Sequence, residues 1–325
     1  MSRRPRVLTW HVHGSYLYYL AHADVDLFLP VGRTDVEGYL GRRPNFPWPD
    51  SVHEVHVDDV TRTKFDAVLF QTRRNYCEDR FEILTDAQRS LPAIYLEHDP
   101  PQEHPAATRH LVDDPDVLLV HVTHFNDLMW ESGRTPTRVI VHGVAVPDDA
   151  RYAGDLRRGV TVVNNLYRRG RRTGPDVYDR ARARVPLDLF GMAFGDGDGA
   201  GEVALADLPY TLARYRFFFN PIRYTSLGLS VCEAMMVGLP VVALATTEQS
   251  VVIENGVSGF VDTDVDVLIE RMQELLSDPR LAAELAEGAR ERARELFSIE
   301  RFAAEWTATF AEATGVAPGP LERVA

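Results

Sequence analysis

Residues 217 to 244, FFFNPIRYTSLGLSVCEAMMVGLPVVAL, place small, hydroxyl-bearing and acidic side chains at the spacing of an anion-binding turn. Phe217 to Phe219 are too short a run for a membrane span and too aromatic for a loop, so they read as a buried strand running into Asn220 and Pro221. Thr225, Ser226 and Gly228 offer a cap and a permissive backbone. Leu229 to Val237 have helical spacing, Gly238 stands where a left-handed C-cap belongs, and Pro240 opens the next strand. A helix starting at the carboxyl end of a strand points unpaired N–H groups into the crevice where open α/β sheets bind diphosphates. Glu233 lies about one turn inside that helix. Further chemistry-bearing groups are HVHGS at 11 to 15, His98 with Asp99, and VVNNLYRRGRRTG at 162 to 174 with its four arginines. Gly14 lets backbone approach a phosphate, Ser15 or His13 can touch it, and His98 can bind a hydroxyl. For a single strand-end histidine or loop arginine the plain alternative is a structural or solvated residue.

The elements that must position these groups alternate along the chain. Strands are expected at 6–10, 25–29, 52–57, 67–71, 93–96, 117–122 and 138–141, with helices at 16–22, 85–90 and 125–131 between them. A polar interval at 146–159, VPDDARYAGDLRRG, reads as a linker. The pattern restarts with strands at 160–164 and 187–190, a helix near 174–184, the 217–244 unit and a strand at 259–261. Charged amphipathic helices run from about 266 to 314. Strands separated by helices predict mostly parallel sheets covered on both faces, in two similar α/β halves that share a cleft. The tail from Gly315, with Pro318 and Pro320, reads as disordered.

Composition narrows the class. The chain has 325 residues, 45% hydrophobic and 26% charged, which suits a globular protein of two ordinary domains. Its formal charge of -13 speaks against nucleic acid or an anionic membrane as a broad partner, while leaving room for a local basic pocket. Cys77 and Cys232 lie far apart without metal spacing and read as thiols of a reducing compartment, which makes the expected location cytoplasmic. Arg3 and Arg4 are not followed by the apolar core of a signal peptide, and no apolar run of about 18 residues exists to span a membrane.

The segment TSLGLSVCEAMMVGLPVV resembles the nucleotide-sugar site of retaining glycosyltransferases of the GT-B fold, particularly the large family 4 group. There a Glu, seven intervening residues and a second Glu precede Gly-x-Pro-Val-Val. Glu233 is the second Glu, Gly238 and Pro240 fall in register, and Thr225 replaces the first. LPAIYLEHD at 91–99, VLLVHVTHF at 117–125, RVIVHGVAVPDD at 138–149 and the closing helices are similar to further family segments, so the resemblance covers most of the chain. It implies two Rossmann-like domains facing a cleft, at 1–150 and 151–297, with a helix at 298–315 returning to the first and a tail at 316–325. It implies a nucleotide diphosphate sugar as donor substrate, no cofactor and no metal. Glu233 would bind the ribose, and N–H groups around Ser226, Leu227, Gly228 and Leu229 the diphosphate. Metal-independent members use an Arg and a Lys at the diphosphate. This chain has a single lysine, Lys64, in its first half, so Arg168 or Arg172 is expected to serve. The acceptor would be a hydroxyl of a glycan, lipid-linked or small molecule, as in cell-envelope polysaccharide synthesis, with membrane contact no more than peripheral.

Other readings stay beside this one. Thr225, Thr247-Glu248 in place of Gly-Gly, and Val251 in place of an acid suit a nucleotide-sugar binder or partner subunit without transferase activity. An epimerase of the same fold would need no acceptor. His11-x-His13 with His121, His124 and His142 suggests a zinc site on an eightfold barrel, but the linker and the helical C-terminus interrupt the count. The glycine run GMAFGDGDGAG at 191–201 lacks the spacing of a P-loop or dinucleotide fingerprint and reads as a loop, and the Phe217–Phe219 run reads as core.

Overall fold

The structure is a computed structural model that describes residues 3–34, 36–192 and 201–317. Most of the glycine run, at 193–200, and the tail from 318 lie outside the described residues. The chain divides into two compact units, Met1–Gly143 with Ile299–Ala325, and Val144–Ser298.

The first unit is built on seven strands: β1 Arg6–Thr9, β2 Asp26–Val31, β3 Val52–His56, β4 Ala67–Phe70, β5 Ala93–Glu97, β6 Val117–His121 and β7 Thr137–Val139. They lie in the order β3-β2-β1-β4-β5-β6-β7, each neighbouring pair parallel. Short helices connect them: α1 Gly14–Leu20, α2 Val57–Val60, α3 Arg80–Ile83, α4 Asp86–Arg89 and α5 His124–Met129, with a π-helical turn at Asn75–Asp79. All four residues of β4 are buried, as expected of a central strand covered on both faces. The chain leaves β1 toward β2 and β3, then crosses back to β4 on the other side. The crevice at that change of direction opens at the carboxyl end of β1, where residues 11–15 follow.

The second unit repeats the plan with β8 Leu156–Val162, β9 Leu187–Phe190, β10 Tyr215–Asn220, β11 Val241–Leu244 and β12 Gly259–Asp262. Their order is β12-β11-β10-β8-β9, again all parallel. Its helices are α6 Pro175–Arg182, α7 Leu208–Ala213, α8 Leu229–Val237, α9 Gln249–Val252, α10 Val265–Ser277 and α11 Pro279–Phe297. The change of direction falls between β8 and β10, so the arginine segment after β8 and the loop after β10 both emerge beside it. Phe217, Phe218 and Phe219 are all but completely buried in β10, as core residues rather than a stacking surface.

The expected linker gives way in part to strand. β8 begins at Leu156, because Arg157 donates to the Leu276 carbonyl and Arg158 forks onto Asp188 of β9, so both charged heads find partners while their stems line the sheet. Asp278 and Ser298, both extended, break the C-terminal helical run, and Asp278 accepts from the N–H groups of Arg280 and Leu281. The last helix, α12 Ile299–Thr314, belongs to the first unit, where Phe302, Trp306 and Phe310 are buried and α12 packs on α1 and β4.

Candidate functional site

In the second unit, α8 spans the nine residues the sequence predicts and ends at Gly238 in the left-handed conformation. Its N-cap is Gly228, in extended conformation, and no side chain caps the helix. The cap position thus falls to Gly228 and not to Thr225 or Ser226, and a glycine brings no side chain of its own to the leading N–H groups. Ser230 Oγ donates to the Val162 carbonyl at 3.1 Å, which pins the helix start to the end of β8. Glu233 is buried, 3% exposed, and Ser226 and Leu227 are buried beside it, so Leu227 can reach a ligand only through its backbone. Leu229 is the first residue of the helix.

The arginine segment docks against the loop that precedes α8. The Arg172 carbonyl accepts from the N–H groups of Arg223 at 2.9 Å and Tyr224 at 3.3 Å. Gly174 makes this possible: at φ +76 it lies against the Pro221 carbonyl, where any side chain would collide. Asp176, in the first turn of α6, receives Arg223 in a fork at 2.6 and 2.7 Å and Arg171 at 3.2 Å. The Arg223 guanidinium holds the Asp176 carboxyl below the usual carboxylate range. Arg171 is thus committed to a carboxylate, whereas the side chains of Arg168 and Arg172 pair with no acid among the described residues. Arg168 is exposed and Arg172 half-buried.

Further polar residues line this edge, and sequence reasoning gives them no ligand-binding role. Asn220 ends β10, 2% exposed, and its Nδ2 has no partner; Gln249 opens α9, 1% exposed, with both amide atoms unpartnered. Thr246 and Thr247 donate to the carbonyls of Ile222 and Ser226, both at 3.3 Å, tying the loop after β11 to the loop before α8. Thr247 sits at φ +52, a conformation that glycine takes freely and a β-branched residue seldom does. Glu248 is buried at the start of α9. In the sequence Asn220 is marked as a strand end before a proline and Thr247-Glu248 as standing where relatives carry Gly-Gly, while Gln249 carries no signal.

In the first unit, His98 follows β5 and lies 4.0 Å, ring to ring, from His13 and 4.8 Å from Tyr16. Gln71 Nε2 donates to Thr9 Oγ1 and the Trp10 carbonyl, each at 2.9 Å, which fixes its amide and turns Oε1 to His98 Nε2 at 3.2 Å. Nε2 must then carry the proton, leaving Nδ1 as an acceptor in the neutral ring. Desolvation, then His13 and His142, hold His98 well below the ordinary histidine range, so it is neutral at physiological pH. Tyr16 is fixed from below, its hydroxyl accepting from Trp306 Nε1 at 3.2 Å and its ring edge-on to Phe302. Gly14 and Ser15 open α1 directly after His13. A side chain at Gly14 would press on Phe46 at 2.7 Å and His11 at 2.9 Å, so packing within the unit suffices to require glycine there.

The zinc barrel does not match this architecture. The strands form two open sheets, and His11 directs Nδ1 to the Gly41 carbonyl at 2.5 Å instead of sharing a centre with His13. Among the described residues no group of three metal-ligating side chains gathers.

Comparisons with known proteins bear on both units. Residues 199–278 match the family model described as glycosyl transferases group 1. A sucrose synthase of Denitrovibrio acetiphilus is 32% identical over 100 residues, 29% of this chain, and the match spans only 13% of that enzyme's length. Among solved structures, sucrose-phosphate synthase from Thermosynechococcus elongatus superposes with a TM-score of 0.68 at 17% identity, covering 97% of this chain and all of that one. HepE of Anabaena, solved in complex with UDP and glucose, gives a TM-score of 0.66 at 16% identity over 95% of this chain and 99% of its own. The chain has the GT-B fold, and within its second unit the segment 199–278 is similar to the glycosyl transferases group 1 family.

Proposed function

We propose that this protein is a retaining, metal-independent glycosyltransferase that moves a sugar from a nucleotide diphosphate to a hydroxyl acceptor. The observation that carries the reading is the glycine-capped start of α8 with Glu233 buried one turn inside it and Arg172 docked alongside with no acidic partner among the described residues. Breaking the bond between the anomeric carbon and the diphosphate oxygen builds negative charge on the phosphates. The helix N–H groups and the guanidinium of Arg172 or Arg168 meet it with fixed donors. The acceptor oxygen forms the new bond on the same face, and its proton passes to the departing phosphate. Glu233 accepts the ribose hydroxyls, and the unpartnered Nδ2 of Asn220 and amide group of Gln249 suit a ligand with hydroxyls of its own. His98, neutral with Nδ1 open, accepts a hydrogen bond from a sugar hydroxyl. Gly14 and Ser15 lie on the acceptor-side unit, residues 1–150 being assigned to the acceptor and 151–297 to the nucleotide. The exposed unpaired Cys77 suits the cytoplasm, and the described helices contain none long and apolar enough to cross a membrane.

UDP is the first nucleotide to try, because HepE of Anabaena was solved with UDP and glucose. Titration calorimetry should detect UDP binding, weakened about tenfold or more in Glu233→Gln, since hydrogen bonds to a charged group contribute about 1.5–3 kcal/mol. Alanine at Arg168 and at Arg172 should weaken UDP in at least one case. Unchanged affinity in all three variants would remove the assignment. A second reading rests on Thr225, which brings no carboxylate to the donor sugar: a nucleotide-sugar binder without turnover. Release of UDP from UDP-sugars, with and without acceptors, separates the two.

A further inference from the structure

The loop between β2 and β3 carries GRRPNFPW at 41–48, a segment to which the donor site gives no role. It builds an aromatic shelf on the first unit. The Phe46 and Tyr18 rings lie 27° from parallel with centroids 6.1 Å apart, and both are partly exposed. Trp48, 9% exposed, braces them from 5.2 and 6.1 Å, and its Nε1 donates to the Arg43 carbonyl at 2.9 Å. His11 stands edge-on to Trp48 at 5.5 Å, anchored to Gly41. These contacts fix the rings, and the partly exposed Tyr18 and Phe46 offer aromatic surface to the apolar C–H face of a pyranose.

Charge and continuity narrow the occupant. Arg42 and Arg43 are exposed, and neither side chain pairs with an acid among the described residues. The nearby Glu54 carboxylate is engaged by the backbone N–H of Arg42 at 2.6 Å. The Arg43 carbonyl that takes the Trp48 indole N–H places this residue at the edge of the shelf. In a chain of net charge -13, two adjacent arginines without acidic partners form a local positive site. The shelf also reaches the histidine cluster of its own unit. Phe46 lies directly over Gly14, and the preceding His13 has its ring 4.0 Å from His98.

We propose that Tyr18 and Phe46, with Arg42 and Arg43, form an acceptor subsite for a saccharide bearing a carboxylate or phosphate. The aromatic faces stack the ring, and the guanidinium forks hold the anion. The proposal rests on the glycosyltransferase reading, for which it supplies the class of the acceptor.

Calorimetry on the full chain at low salt tests it with a galacturonate tetrasaccharide, maltotetraose and glucose 6-phosphate, UDP being titrated in parallel. An anionic sugar should bind about tenfold tighter than maltotetraose. Tighter galacturonate assigns a carboxylate, and tighter glucose 6-phosphate a phosphate. The double variant Arg42→Ala, Arg43→Ala should weaken the anionic ligand about tenfold with UDP unaffected. Phe46→Leu, which keeps apolar volume over Gly14 but removes the ring face, should weaken it about fivefold. Equal binding of maltotetraose, or anionic binding unmoved by both variants, overturns the subsite. If UDP binds and no anionic sugar does, the subsite alone falls. If UDP fails while the anionic sugar still depends on the arginines, the glycosyltransferase reading falls and the anion site stands.

Discussion

At the scale of single residues, protonation states follow from burial and from partners distant in sequence. Gln71, held by Thr9 and Trp10, decides which nitrogen of His98 carries its hydrogen, and no property of residues 91–99 alone predicts that. His121 is fully buried at the end of β6, and desolvation lowers it from 6.5 to about 4 despite Asp127 at 3.7 Å. Between those values the unfolded chain binds the proton more readily than the folded one. The stability associated with the neutral ring is therefore complete above about pH 6.5 and declines as the pH falls toward about 4, by on the order of 3 kcal/mol. His98 acts with the same sign. Urea midpoints measured from pH 7 to pH 4.5 should fall, and His121→Leu should flatten the profile; an equally steep profile in the variant would contradict the assignment. Arg168 and Arg172 were legible as cations in the sequence. That Arg171 and Arg223 converge on Asp176, while those two pair with no acid among the described residues, became visible only once α6 and the loop before α8 were folded together.

At the scale of elements, the longer pieces were legible because their signals are local. An apolar run between turn residues marks a central strand, and the leucine-to-valine stretch ending at Gly238 marks α8 to the residue. The elements that were missed, α2, α3, α7, α9 and the π-helical turn, have four to six residues, too few for a period to show. The join between the arginine turn and the loop before α8 depends on Gly174. Gly174→Ala forces a side chain into the left-handed region and against the Pro221 carbonyl, at a cost of about 2 kcal/mol or more. Thermal unfolding should register that loss, and UDP affinity should fall with it as Arg172 moves. A variant that keeps both would show that the turn does not position Arg172.

At the scale of the whole molecule, the chain closes its first unit with its last helix. Trp306 is fully buried in α12 and donates to Tyr16, which in turn faces His98 and His142. Trp306→Ala removes a large core side chain and that hydrogen bond, which costs about 3–5 kcal/mol. Calorimetric unfolding should show a melting transition lowered by about 10 °C. On the proposed assignment of the nucleotide to the second unit, UDP affinity should be retained. Loss of UDP binding with an unchanged melting transition would contradict the division of labour between the units.

The sequence by itself determined the two parallel sheets and the place of α8, which carries Glu233, because apolar runs, turn residues and spacing are written within a few residues of each other. Only the tertiary structure decided which arginines stay without an acid, which histidine nitrogen accepts, and that Tyr18, Phe46 and Arg43 share one surface. Each of those depends on partners separated by loops, whose approach is set by packing and hydrogen bonds that a linear pattern does not contain.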